Sequence, residues 1–320
     1  MAFVSDLVTF GESMLRYSPP NNQRIETTET LDVRIAGAES NVATAAARLG
    51  ADATWLSKLP DSPLGRRIEN FHRSVGLDTE IVWSESGRAG TYYIEFGGKP
   101  RGTNVVYDRA DSAVTTVTPE ELPLSLIEDA TIFETTGITP ALSDTLSKTT
   151  LDLLQTAQSA GTTTVFDLNY RAKLWSPAEA AETIRNLLSA VDVFVTGAED
   201  AALVLDRDEE PETLVRHLAE DWDFDVVILT RGSWGAVAYA DDTYIEQRAF
   251  ETETLDPIGT GDAFLGGYLA QMLDGGDVSA CLEWGAAAAA LKRTIPGDIA
   301  VITRDEVLQV LADESGGIQR

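Results

Sequence analysis

The sequence predicts an α/β fold, in which helices flank both faces of a central, mostly parallel β-sheet and a small β-sheet forms a lid. From residue 131 onwards, short apolar runs alternate with helical stretches, as in parallel sheets joined by crossover helices. Glycine turns precede two other helical stretches, at Gly37 and at 259–261. Two regions, 14–35 and 81–110, alternate polar and apolar residues as half-exposed strands do.

The elements can be assigned in chain order. Residues 7–10 are an apolar run stopped by glycine, which predicts a buried strand. Residues 40–49 are rich in alanine and end at Gly50, which predicts a helix. The two alternating regions are expected to pair as lid segments inserted in a single domain, 1–320. Further strands are predicted at 131–133, 164–166, 193–195 and 226–229, with helices at 145–160 and 177–190.

Composition excludes several classes of protein. The 320 residues are 43% hydrophobic, enough for a large core, and carry a net charge of −28 that repels nucleic acid and anionic membranes. Acid excess with only five lysines is typical of proteins adapted to high salt. No signal peptide or membrane-length apolar run is present, which predicts a cytoplasmic protein. The single cysteine, Cys281, excludes an intramolecular disulfide and is expected to be buried.

The chemistry is concentrated near the C-terminus, where Gly259, Thr260, Gly261 and Asp262 precede an apolar helical stretch. Backbone N–H groups at such a glycine turn, together with the helix dipole, bind an anion such as phosphate. An aspartate there would repel phosphate unless it serves as a base that takes a proton from an attacking hydroxyl. The alternative is a plain turn with a capping aspartate.

A second glycine-containing turn, residues 230–236, follows an apolar strand and could bind a nucleotide. The chain has no Gly-x-x-x-x-Gly-Lys-Ser/Thr loop, and no Gly-x-Gly-x-x-Gly opens a first βαβ unit. The histidines, His72 and His217, have no partner at ligand spacing and are predicted at the surface, which disfavours zinc or triad chemistry.

Two stretches carry a resemblance to a known family. Ala-Gly-Ala-Glu-Ser-Asn-Val-Ala at 36–43 and Asp-Pro-Ile-Gly-Thr-Gly-Asp at 256–262 resemble the two signatures of the ribokinase-like (PfkB) carbohydrate kinases, in the right order. The resemblance covers almost the whole chain. It implies a ribokinase-like fold with a β-sheet lid, ATP and Mg²⁺ as donor and metal, Asp262 as catalytic base, and Gly259, Thr260 and Gly261 as anion hole.

Within the family, the chain most resembles the kinases of 2-keto-3-deoxygluconate, a carboxylate of the Entner-Doudoroff sugar-acid route. Tyr107-Asp-Arg109 is similar to their lid element, and Asp167-Leu-Asn169-Tyr-Arg171 is similar to their strand-end element. Two arginines in one cleft would clamp a carboxylate, whereas a neutral hexose needs no cation. The alternative is that both arginines form surface salt bridges. The substrate-binding residues implied are Gly37, Asn41, Tyr92, Tyr107, Arg109, Arg171, Asp262 and Asp298, although a turn or cap role for Asp298 is equally open.

The resemblance also implies a nucleotide site. The chain departs from the family at 196–199, where Thr-Gly-Ala-Glu replaces Asn-x-x-Glu, so that Glu199 is the one residue implied near the metal. The alanine run 286–290 is expected near the adenine. A monovalent cation such as K⁺ is a further candidate cofactor, and a homo-oligomer, such as a dimer through the lid, is expected. The nucleotide-binding residues implied are Asp167, Asn169, Thr196, Glu199, Thr230, Gly232, Gly235, Gly259 and Gly261.

Three alternatives stay open at this point. The first is a kinase of fructose or a related ketohexose, a neutral sugar that would leave the arginine pair without a carboxylate partner. The second is a sugar- or nucleotide-binding regulator that has lost catalysis, against which stands the intact Gly-Thr-Gly-Asp. The third is a nucleoside kinase of the adenosine type.

Overall fold

The architecture is that of a computed structural model, which describes residues 5–312. Residues 1–4, part of the segment in which no signal peptide was predicted, lie outside the described residues. The strands in chain order are β1 Leu7–Phe10, β2 Met14–Ser18, β3 Asp32–Ala36, β4 Ala53–Pro60, β5 Asp78–Ser84, β6 Thr91–Glu95, β7 Asn104–Asp108, β8 Ile132–Thr136, β9 Thr163–Asp167, β10 Val193–Gly197, β11 Val226–Thr230, β12 Ala236–Ala240 and β13 Thr243–Gln247.

Nine of these strands form the main sheet, in the order β13-β12-β11-β10-β9-β8-β1-β4-β5. The seven strands from β11 to β5 in this order are parallel, while β12 and β13 continue the sheet antiparallel. The strands predicted around residues 7, 131, 164, 193 and 226 are thereby confirmed. Their carboxyl ends meet at one edge, where ligands bind in such sheets.

Helices cover both faces of this sheet, as predicted. Alternate strand residues supply two cores: Leu7 and Ile132 belong to one, and Phe133 and Phe194 to the other. The helices α1, α2, α8, α9 and α10 pack on the first core and α3 to α7 on the second. Their bounds are α1 Ala38–Arg48, α2 Pro63–Ser74, α3 Leu124–Glu128, α4 Asp144–Ala160, α5 Pro177–Leu187, α6 Ala198–Leu205, α7 Pro211–Trp222, α8 Thr260–Leu273, α9 Val278–Arg293 and α10 Arg304–Ala312.

The two alternating regions pair into a separate small sheet, in the order β3-β2-β6-β7. The first region supplies β2 and β3 and the second supplies β6 and β7. Residues 81–84, which we assigned to the second lid segment, belong instead to β5 of the main sheet, because β5 pairs with β4 without interruption up to the Pro60–Ser84 position. The second segment of the small sheet therefore begins later in the chain than expected, at β6.

The prediction that His72 lies at the surface is wrong. His72 is fully buried in α2, where Nε2 lies 3.0 Å from the Ser13 hydroxyl and Nδ1 lies 3.4 Å from that of Thr44. Burial lowers the pKa of His72 to about 3, so the ring is neutral. The lone histidine of this helix is a satisfied core residue. Cys281, by contrast, is buried as expected.

Within residues 5–312, no helix combines the length and the apolar character that crossing a lipid bilayer would require.

Candidate active site

A cleft of about 530 Å³ opens at the carboxyl edge of the main sheet, between that edge and the small sheet. The ends of β9, β10 and β11 form its floor, α1 and α8 begin beside it, and β6 and β7 cover it. Most of the residues named from the sequence meet here. They are Gly37, Asn41, Tyr92, Tyr107, Arg109, Asp167, Asn169, Arg171, Thr230, Gly259, Thr260, Gly261, Asp262 and Asp298.

The anion loop, residues 256–262, leads into the first turn of α8. Gly259 is the N-cap of this helix and has a φ of 80°, a left-handed conformation that favours glycine. A Cβ at this position would lie 1.9 Å from the backbone oxygen of Asp298. Both the φ and the close approach of Asp298 therefore require glycine here, and the start of α8 lines the cleft, where first-turn N–H groups can bind an anion.

Asp262 lies in the first turn of α8 and is held by α1. Its Oδ2 accepts a hydrogen bond of 2.6 Å from the Asn41 side chain. Burial, with the charges of Asp298 and Glu39, raises the pKa of Asp262 to about 6, although Asn41 and Arg171 act in the opposite direction. A carboxylate with this pKa is deprotonated at neutral pH and still basic enough to accept a proton from a hydroxyl.

Arg171 brings positive charge to a cleft that is otherwise acidic. Its guanidinium lowers the pKa of Asp262 and also those of Asp167 and Asp200, although burial leaves all three above their ordinary values. Among the described residues it makes one hydrogen bond, from Nη1 to the backbone oxygen of Tyr170. Most of its donors therefore remain for an anionic ligand.

Arg109 lines the same cleft, but its guanidinium is already paired. Nε donates to Oε2 of Glu12 at 2.8 Å, Nη2 donates to the same oxygen, and the guanidinium lies 5.5 Å from the ring centre of Tyr107. Both partners are buried. Glu12 was missed in the sequence, where Gly11-Glu12-Ser13 read only as the end of a strand. Its other oxygen, Oε1, is buried without a hydrogen-bond partner among the described residues and is free to accept a ligand hydroxyl.

Asp298 reaches the cleft but is held by other side chains. Arg16 of β2 and the Tyr92 hydroxyl each donate to one of its carboxylate oxygens. The second arm of Arg16 donates to Asp256 at 2.9 Å. Binding of a sugar hydroxyl by Asp298 stays a prediction, and the structure gives this carboxylate a further task. It ties the small sheet to the anion loop.

A second cavity of about 230 Å³ continues the cleft on the far side of α8. It shares Thr230, Thr260 and Gly261 with the first, so a ligand that spans both passes over the start of α8. Small and aromatic side chains form most of its lining, which suits a flat base. Its other residues include Gly232, Gly235, Ala236, Phe250, Phe264, Ala286, Ala289, Ala290 and Arg293, so the 230–236 turn and the alanine run both line it, and their contact with a nucleotide stays a prediction.

Thr196 and Glu199 lie outside the residues that line the two cavities. Thr196 is fully buried and its hydroxyl donates to the Gly197 backbone oxygen at 3.1 Å. Glu199 is exposed on α6, whereas its neighbour Asp200 lines the cleft. Their predicted roles with nucleotide and metal stay predictions. Asp200 is a carboxylate of the cleft that was not predicted from the sequence.

The cleft fits a magnesium ion that arrives with a nucleotide. Carboxylates of Asp167, Asp200 and Asp262 line it, and oxygen ligands are those that Mg²⁺ prefers. Between residues 5 and 312, however, no group of three or more His, Cys, Asp or Glu side chains could hold a metal by itself. The donor set thus suits an ion that keeps phosphate and water ligands.

Comparison with known proteins agrees with this geometry. Residues 4–304 match the model of the pfkB family carbohydrate kinases. The chain is 55% identical to a 2-dehydro-3-deoxygalactonokinase of Haloferax volcanii over 99% of both chains, which fits the halophilic character predicted from the charge. It is 30% identical to a 2-dehydro-3-deoxygluconokinase of Bacillus subtilis, over 96% of this chain and 95% of the relative.

Among solved structures, a 2-dehydro-3-deoxygluconokinase of Thermotoga maritima superposes with a TM-score of 0.89 and 33% identity, over 96% of this chain and 99% of the other. The ribokinase-like fold expected from the sequence is confirmed by this match. Family model, relatives and fold agree over almost the whole length. The chain belongs to the pfkB family of carbohydrate kinases, enzymes that transfer phosphoryl groups to hydroxyls.

Proposed function

We propose that this kinase uses Mg·ATP to phosphorylate the 6-hydroxyl of a 2-keto-3-deoxy sugar acid. The observation that carries the proposal is the guanidinium of Arg171, which has free donors in the cleft that holds Asp262. Arg171 is half-buried, and its free donors offer an incoming carboxylate charge-assisted hydrogen bonds inside a protein of net charge −28. A sugar acid brings that anion, whereas a neutral hexose does not.

The roles in the reaction follow from the positions of the side chains. The sugar acid lies under β6 and β7 with its carboxylate toward Arg171, and Glu12 Oε1 accepts one of its hydroxyls. Asp262 takes the proton of the 6-hydroxyl as that oxygen attacks the γ-phosphorus. The N–H groups at the start of α8 stabilise the charge on the transferred group. Mg²⁺, when bound with ATP, neutralises phosphate charge, and Asp167 and Asp200 are the carboxylates placed to hold it.

Arg109 takes a different part from the one first predicted. Because its guanidinium is paired with Glu12, we assign it the task of orienting Glu12 toward the sugar. The substrate carboxylate then belongs to Arg171. K⁺ does not form part of this proposal. The anion loop already has a cation against it, because the ammonium of Lys292 donates to the Asp256 backbone oxygen.

Two epimers are candidates for the acceptor. The resemblance seen in the sequence points to 2-keto-3-deoxygluconate, which the names of the 30% and 33% identical relatives repeat. The 55% identical relative bears the name of a kinase of the galactonate epimer. Since the two acids differ only in the orientation of one hydroxyl, their carboxylates would both reach Arg171. We propose the galactonate epimer as the better substrate, on the higher identity.

A homodimer through the small sheets is the proposed assembly. Val33, Tyr17, Tyr93 and Val106 stand in register across the four strands and so share one face, the one opposite Tyr92 and Tyr107. Tyr17 and Tyr93 stack at 5.3 Å, and Val33 and Val106 are exposed. Sedimentation of wild type and Val106→Glu tests this proposal. A monomeric wild type would refute it.

The substrate proposal is tested by ADP release with a panel of acceptors in molar KCl. We expect kcat/KM for the two sugar acids to exceed that for fructose by at least about 100-fold, the loss typical of a charged group left without its partner. The galactonate epimer should be the better of the two. Equal or better use of fructose would make the protein a ketohexose kinase instead, and turnover of adenosine would identify a nucleoside kinase.

A further inference from the structure

A lysine side chain lies buried against the anion loop. Lys292, in the last turn of α9, has no exposed surface, although most of the basic residues of this protein are arginines. Its Nζ donates to the backbone oxygens of Asp256 at 3.1 Å and of Ile295 at 3.2 Å. Neither bond involves a carboxylate. The ammonium is thus held as a small cation is held, by backbone carbonyls.

The two carbonyls belong to the segments that shape the anion hole. Asp256 begins the anion loop, and Ile295 begins the turn that ends at Asp298. The backbone oxygen of Asp298 in turn packs against Gly259, the residue that caps α8. Lys292 therefore joins the start of the anion loop to the turn whose backbone packs against Gly259.

Three more charges complete a cluster around this ammonium. Arg16 pairs with the carboxylates of Asp256 and Asp298, and Asp256 also accepts from the Gly297 N–H at 2.9 Å. The four charged groups, Arg16, Lys292, Asp256 and Asp298, carry two positive and two negative charges. We call them the charge cluster. Its charges balance without any added ion, and each of its members is at least nine-tenths buried.

The desolvation cost of the buried Lys292 ammonium indicates that its charge has a role in the structure. Burial lowers the pKa of Lys292, and the carboxylates of Asp256 and Asp298 counteract that shift. An apolar side chain of similar size would avoid the desolvation cost altogether. That cost is offset where the ammonium satisfies backbone carbonyls, here through a buried bond to Asp256 and a part-buried bond to Ile295.

We propose that Lys292 is a permanent internal cation, a positioning residue that holds the anion loop in its reactive shape, and that this kinase consequently needs no bound K⁺. The proposal rests on phosphoryl transfer at Asp262 and extends it. A monovalent ion could serve the same carbonyls, but Nζ already lies against them and the charge cluster is neutral. The candidate K⁺ cofactor named with the family resemblance therefore does not fit this chain.

The first test replaces the ion around the wild-type enzyme. At equal ionic strength, kcat should agree within about twofold in KCl, NaCl and choline chloride, because screening depends on ionic strength. A rate that disappears in choline chloride and returns on saturation with K⁺ would overturn the proposal. The assay uses whichever acceptor the wild type turns over.

The second test removes the charge. Lys292→Met should lower kcat at least about tenfold while KM for ATP changes less, since misplacement of the reacting groups acts on the chemical step. Lys292→Ala, which leaves room, should regain part of its kcat with K⁺ or methylammonium and none with choline. Lys148→Met, at an exposed position of α4, is the matched control and should behave as wild type. A wild-type kcat in Lys292→Met would refute the proposal.

The third test does not depend on turnover. Crystals soaked in thallium acetate, with Tl⁺ as a probe for K⁺, should show no anomalous peak beside Asp256 in wild type and a peak between the Asp256 and Ile295 carbonyls in Lys292→Ala. A Tl⁺ site there in wild type would contradict the proposal even if no sugar acid proves to be a substrate. If the variants fail to fold, the two wild-type experiments still decide.

Discussion

We propose Asp262 as the catalytic base, because helices α1 and α8 both hold its carboxylate in the cleft. Asn41 from α1 fixes one oxygen, and the first turn of α8 fixes the backbone. Asp262→Asn should keep the fold and ATP binding and should lower kcat at least about 100-fold, the scale of a positioned general base. Rapid-quench turnover with calorimetric ATP binding on the same sample checks this. A variant that keeps most of its turnover would exclude Asp262 as the base.

The pH dependence follows from the same carboxylate. A base must be deprotonated, so kcat/KM should fall tenfold per pH unit below about 6, the pKa of Asp262. The hydrogen bond from Asn41 lowers this pKa, and Asn41→Ala should therefore move the acid limb to higher pH. Asn186→Ala, on the exposed side of α5, is the control and should leave the profile in place. If the acid limb of the profile stays in place in Asn41→Ala, the pKa that the profile reports does not belong to Asp262.

At the scale of residues, the sequence allowed predictions for residues whose neighbours in the chain indicate their role. Asp262 and the glycines before it can be interpreted from a few neighbours in the chain. Arg16 cannot, because its partners Asp256 and Asp298 lie 240 and 282 positions away. Glu12 and Lys292 were missed for the same reason, since only the fold brings Arg109 to Glu12 and the Asp256 carbonyl to Lys292.

At the scale of elements, the start of α8 can be tested with a matched pair of glycines. Gly259→Ala should lower both the melting temperature and kcat, because a Cβ there needs a left-handed φ and meets the Asp298 backbone. At Gly261 a Cβ meets no atom within 4 Å, and the residue lines both cavities. Gly261→Ala should melt as wild type but lose at least about tenfold in kcat, through displacement of the phosphoryl group. Equal effects of the two changes on melting would contradict this assignment.

The elements themselves were largely predictable, since buried parallel strands and alanine-rich helices have strong local signals. The small sheet was predicted as a pairing of two distant regions, but its order was not. The parallel pairing of β2 with β6 depends on the positions of the main-sheet strands from which the two segments start. Residues 81–84 alternate like a lid strand and join the main sheet, because β4 offers a free edge beside them.

At the scale of the whole molecule, the acid excess should make stability depend on salt. Like charges crowd locally: the pKa of Asp225 is raised by burial and then by Asp192, Asp223 and Asp241. A raised carboxylate pKa means that stability falls as pH rises through it, and salt screens the part of this effect that comes from the neighbouring charges. Calorimetric melts should rise steadily through a KCl series and a parallel NaCl series. Melting that is independent of salt would refute the high-salt interpretation.

The central claim is that this kinase recognises an acid through Arg171, and the most direct measurement is kcat/KM for a 2-keto-3-deoxy sugar acid and for fructose, in wild type and Arg171→Ala. Assays on the alkaline plateau keep Asp262 deprotonated in both enzymes, because loss of Arg171 would also raise its pKa. Arg185→Ala, exposed on α5, is the charge-matched control.

For the sugar acid, Arg171→Ala should lose about 2–5 kcal/mol of apparent transition-state stabilisation, while KM for ATP and the use of fructose change little. Arg171→Lys should recover only part of the loss, because an ammonium lacks the planar pair of donors. Arg185→Ala should match wild type. A wild type that prefers fructose, or an Arg171→Ala variant that loses both acceptors in equal proportion, would contradict recognition of an acid at this site.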